Sequence, residues 1–133
     1  MNTAAEDIKD MLEQESELSL EFTQNLFVGR EPIVQIDCVT VFDTPGRPPV
    51  LTLDGDAYHY DTVQIKIRSK NYQEAFRLSH SIMNLLHGRT GELWNGTLYT
   101  LIVALSAPAL LNWDDNNRVS FIVDFETQRR KED

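Results

Sequence analysis

One cysteine, Cys38, among 133 residues leaves the chain no internal disulfide and fits a reducing compartment. Basic residues are scarce, twelve against twenty-one acids, for a formal net charge of −9. Proteins that grip nucleic acid neutralise phosphates with Lys and Arg, so this balance argues against firm binding. It still allows a nucleic acid to pass nearby, because like charges repel. No apolar run approaches the ~18 residues of a membrane span. The polar, acidic start also lacks a secretory pattern, so the expectation is a soluble cytoplasmic protein with no membrane partner.

Catalytic chemistry is missing too. His59, His80 and His87 fit no metal-ligand spacing, and no cofactor is expected. Ser79-His80 lies in a helical stretch, without the strained turn that presents a nucleophile. Gly88-Arg89-Thr90-Gly91 follows a helix and has no phosphate-loop lysine, and Asp114 to Asn117 lacks the glycine and final glutamate of a calcium loop. Cys38 reads as a small core hydrophobe. The residues nominate an assembly or binding domain and no enzyme.

What is present is a strand running into a helix. Val63, Ile65 and Ile67 alternate with Gln64, Lys66 and Arg68, the two-residue period of a half-buried strand. Asn71 and Glu74 have the spacing of a helix start. Ala75, Phe76, Ile82, Met83 and Leu86 then share one face, opposite Gln73, Arg77, His80, Ser81 and Asn84, and Gly88 closes the helix.

The remaining elements are shorter. A helix over Thr3 to Glu17 starts with a Thr3/Glu6 capping box, and its narrow stripe of Ile8, Met11 and Leu12 among acids predicts a surface position. Strands are expected at Asn25 to Gly29, Ile36 to Phe42, Glu92 to Trp94 and Thr97 to Leu105, with a break at Glu31-Pro32. Thr97 to Leu105 alternates Tyr99, Leu101, Val103 and Leu105 against Leu98, Ile102 and Ala104. Pro108 bends the chain, Trp113 reads as a core or hinge anchor, and Asp114 to Asn117 is turn chemistry. The last strand, Arg118 to Gln128, buries Val119, Phe121, Val123 and Phe125, and residues 129–133 read as a charged tail. Residues 43–61 stand apart: Pro45-Gly46 and Pro48-Pro49 interrupt a ladder, and Asp54-Gly55 favours a hairpin turn. The fold class is therefore α+β in one domain, 1–133. It has a mainly antiparallel sheet of about five strands, one long helix packed on one face, an N-terminal helix within 1–20, and a projecting proline-led arm at 43–61.

Two surfaces are candidate interfaces. Lys66 and Arg68 on one wet strand face and Asp124 and Glu126 on another can pair if the strands are neighbours, and that face is left open by a single helix layer. On the arm, Tyr58 and Tyr60, with Arg47 before them, either pack back onto the domain or reach a neighbour, where aromatics are enriched.

From Val39-Thr40-Val41-Phe42-Asp43-Thr44-Pro45-Gly46-Arg47-Pro48-Pro49 the chain begins to resemble a phage family. The likeness continues through Leu53-Asp54-Gly55, Val63 to Arg68, Leu86-His87-Gly88, Trp94-Asn95-Gly96-Thr97-Leu98-Tyr99 and Pro108 to Arg129. Together these segments resemble the minor capsid proteins of tailed-phage head–tail genes, similar to tail terminators. The resemblance implies a structural virion protein at the head-proximal end of the tail, present in the host cytoplasm during assembly. It implies a ring, typically of six copies, on the end of the tail tube, stopping polymerisation and meeting the head–tail connector protein, while DNA passes through without specific binding. Arg47, Tyr58 and Tyr60 would then contact a neighbouring subunit or the tail tube protein. The alternatives are a head-completion or connector component, or an acidic adaptor that binds a host protein.

Overall fold

The computed structural model describes residues 1–34, 36–51 and 57–132. Two helices lie on one face of a mixed, seven-stranded sheet. The strands are β1 (Leu26–Val28), β2 (Cys38–Leu51), β3 (Ala57–Ser69), β4 (Glu92–Trp94), β5 (Thr97–Ala104), β6 (Ala109–Trp113) and β7 (Val119–Lys131). Their order is β1-β2-β3-β7-β5-β4, with β6 also on β7. The expectation of about five, mainly antiparallel strands under one long helix is thus corrected in three ways: more strands, a parallel β1–β2 pair, and a second helix in the core.

Helix α1 (Ala4–Gln14) carries the Thr3/Glu6 capping box, but it is not a surface helix. Ala4, Ala5, Ile8, Met11 and Leu12 are buried against β1, β2 and β3. The small Ala4 and Ala5 widen the dry stripe without adding obvious hydrophobicity to the sequence. Helix α2 (Tyr72–Leu86) is capped by Asn71, whose side chain accepts from the Glu74 N–H, and it buries Ala75, Ser79, Ile82 and Leu86 over β3, β5 and β7. Gly88 follows with φ +89°, the left-handed conformation that ends the helix.

The arm is not separate from the sheet. Strand β2 runs through all three prolines, and Arg47↔Tyr60, Val50↔Tyr58 and Leu51↔Ala57 stay paired. Two register shifts, between Thr44 and Arg47 and between Arg47 and Val50, absorb the missing donors. Beyond Val41, β2 has β3 alone as partner, and an edge strand tolerates proline. The predicted Asp54-Gly55 turn lies outside the described residues. Gly46 sits in the first shift, where an added Cβ would collide with the Tyr60 carbonyl oxygen and lie 3.0 Å from the Asp61 Cα. Gly46→Ala is expected to pry the outer hairpin apart at a cost of about 1–3 kcal/mol. Amide exchange should then accelerate at Arg47, Tyr58 and Tyr60 and stay slow at Val41 and Ile65; uniform protection would refute this.

Three smaller expectations also change. A register shift between Tyr99 and Leu101 breaks the alternation of β5, so Tyr99 and Ile102 both point into the core. Ala109 to Trp113 forms β6 instead of a bend, and of the core and hinge readings of Trp113 the core one is excluded by its half-exposed side chain. Residues 129–131 continue β7 instead of trailing as a tail.

Candidate assembly surfaces

The helix-free face of the sheet carries the outward residues of β2, β3 and β7, and at its outer end the structure gathers four of the predicted residues. The Arg47 guanidinium lies 3.9 Å over the Tyr60 ring and 3.4 Å from Glu126. Tyr58 and Tyr60 sit 5.3 Å apart at 55°, and the Tyr58 hydroxyl bonds Thr100 on β5. Arg47 is 64 % exposed at its side chain, so the cluster is open to a partner while the tyrosines pack along the sheet. Beside it, Asp124 accepts from Gln64 at 3.2 Å.

Lys66 and Arg68 do not join that group. Both reach Glu31, at 3.1 and 3.0 Å. Arg68, 3 % exposed, also donates to the carbonyls of Pro32, Val34 and Ile36, and Arg118 donates to Val34 as well. The two guanidiniums strap this segment over the inner end of the same face. Backbone carbonyls point down to the arginines, and Ile33 is thrown outward, 94 % exposed. The predicted Lys66/Arg68 pairing with Asp124/Glu126 is therefore replaced by two separate clusters at opposite ends of β3.

A buried polar relay was not foreseen. Asp7 is wholly buried on α1, Tyr99 donates to it at 2.5 Å, and Arg129 donates to Tyr99 at 3.2 Å. Asn95 adds a donor to Asp7 at 2.7 Å, and Arg129 also holds Asp61 at 2.8 Å and the Asn2 carbonyl. Burial, followed by the bond to Asp7, pushes the Tyr99 phenol far above its usual value, so the relay keeps its proton on Tyr99. The Ala4, Asp7, Ile8, Met11 spacing was the available signal that Asp7 faces inward.

An exposed aromatic edge was likewise missed. Trp113 on β6 stacks on Tyr72 of α2, with centroids 6.5 Å apart at 12°. Tyr72 and Phe76 meet Phe121 edge-on, yet both stay partly exposed, as does Leu110. A cleft of 190 Å³ between Leu18, Cys38, Arg68 and Leu78 is joined by two wider, open hollows, of 350 Å³ beside Asn2, Asp61 and Arg129 and of 500 Å³ beside Glu15, Leu18 and Leu85. Among the described residues no three His, Cys, Asp or Glu side chains converge on a common point, and no helix is long and apolar enough to cross a membrane.

These surfaces suit protein contacts, and comparison with known proteins narrows the kind. The profile of the bacteriophage tail terminator protein family matches residues 3–131. The chain belongs to that family. It is thereby a structural, tail-related virion protein, and the matched span includes α1, which the segment-by-segment likeness had left outside. The fold is similar to a chain in a solved structure described as the virion of a native gene transfer agent particle. The TM-score is 0.64 at 9 % identity, over 97 % of this chain and 99 % of that one. No curated protein sequence matches it significantly. In this terminator-family chain, the outer-face cluster, the strapped Ile33 and the aromatic edge all reach the surface.

Proposed function

We propose that the chain is a tail terminator that closes into a ring at the head-proximal end of the tail tube, halts tube growth and offers the head connector its landing surface. The match of the terminator family to residues 3–131 carries this reading. The geometry supports it through surfaces of different chemistry on different parts of the subunit, as a closed ring with head-to-tail contacts requires. The net charge of −9 suits a channel through which DNA slides without sticking. In phage lacking the gene, tubes should grow beyond their normal length, and the added protein should restore the length. Tails of normal length beside unjoined heads would instead make it a connector component.

A further inference from the structure

The sheet carries exposed apolar groups at both ends of the β3–β7 pair. One end, near Ser69↔Val119, has the edge strand β6 with Leu110 and Trp113 beside Tyr72 and Phe76. The other, beyond Tyr58↔Arg130, has Val50 and Leu51 on the proline-led hairpin, Leu51 being 82 % exposed. From Tyr58 to Ser69 the strand spans roughly 35 Å, so no side chain of one copy bridges the two patches.

The edges differ in how they meet neighbours. Strands β1 and β4 are three residues long, and β2 is blunted by Pro45, Pro48 and Pro49. Strand β6, Ala-Leu-Leu-Asn-Trp, has neither charge nor proline, and a bare apolar edge of that kind invites a partner. The borders differ in sign as well: Asp114, paired with Arg118, and Asp115 follow β6 at the aromatic edge, whereas Arg47, Arg130 and Lys131, with Glu132, flank the hairpin.

We infer that the occupant of the aromatic edge is a second copy of this chain, whose hairpin residues Val50 and Leu51 pack against Leu110 and Trp113 under the Arg47 guanidinium. A two-fold pairing of one patch with itself would leave the other in water, and a reciprocal two-fold pairing would cover both but stop at a dimer. The head-to-tail contact covers both patches on every subunit and repeats around a ring. The aromatic rings also present π-faces to an incoming guanidinium. This inference rests on the ring proposed above and names the surfaces that build it.

The native Cys38 is buried, so introduced thiols can be read alone. Purified Leu51→Cys, Leu110→Cys and the double variant would be treated with a short bis-maleimide, with native mass measured in parallel. The expected result is no cross-link in either single variant, dimers when the two singles are mixed, and a ladder ending at one discrete band for the double variant. Oligomers of ring mass without a ladder would overturn these surfaces and leave the ring standing. Efficient dimers from one single variant alone, or a double variant that stops at the dimer, would show a two-fold contact and overturn the head-to-tail arrangement. A monomer mass at every concentration would overturn both the surfaces and the ring.

Discussion

Arg129→Met is expected to lower the folding free energy by about 3–5 kcal/mol, the cost of stripping a partner from buried charge. The arginine holds the Asp61 carboxylate at 2.8 Å and the wholly buried Asp7 both through the Tyr99 hydroxyl and as an ion pair at 3.7 Å, and methionine fills the volume without replacing any donor. In a domain of this size the thermal midpoint should fall by about 10–15 °C. Adding Asp7→Asn removes the charge left stranded, so the double variant should recover part of the loss. A urea titration of the four proteins reads the coupling. A loss below about 1 kcal/mol in Arg129→Met would mean that the relay is not what fastens α1 to the sheet.

Arg68→Met is the second large effect, about 3 kcal/mol. The side chain serves three backbone carbonyls and Glu31 from a site closed to water. Without it the Pro32 and Ile36 carbonyls lose this donor, and among the described side chains Lys66 on Glu31 and Arg118 on Val34 are left to hold the strapped segment. Tryptic cleavage after Arg30 should speed up by at least tenfold while the rest of the chain keeps its native resistance. An unchanged cleavage rate would show that the segment holds itself in place.

These two arginines also mark where sequence reasoning stops. Alternation placed Arg68 on the outward face of β3, and it is there; what no local pattern reports is that Pro32, Val34 and Ile36 cover that end of the face. Arg129 looked like part of a tail because the charges after it outweigh the alternation that continues through it. The periodic elements were legible: β3, α2 with its Asn71 cap, the β4–β5 hairpin at Asn95-Gly96 and the dry side of β7. The parallel β1–β2 pair was not, since three residues cannot encode which strand they will meet. The prolines were misread because their cost depends on whether an edge is free, a property of the neighbours. For the surfaces, Arg47, Tyr58, Tyr60 and Glu126 do come together. The aromatic edge was hidden because tryptophan usually argues for burial, and here its stacking partner is itself at the surface.

Strand β7 follows every other strand in the chain, yet it lies between β3 on one side and both β5 and β6 on the other. During synthesis, therefore, the β2–β3 hairpin and the β4–β5 hairpin wait as separate pieces with facing edges unsatisfied until the thirteen residues of β7 emerge. Their joining closes loops of more than fifty residues between Tyr58 and Arg130 and sets a slow, non-local final step. The interval before it is when the nascent chain most needs protection from pairing with another copy through the wrong strands.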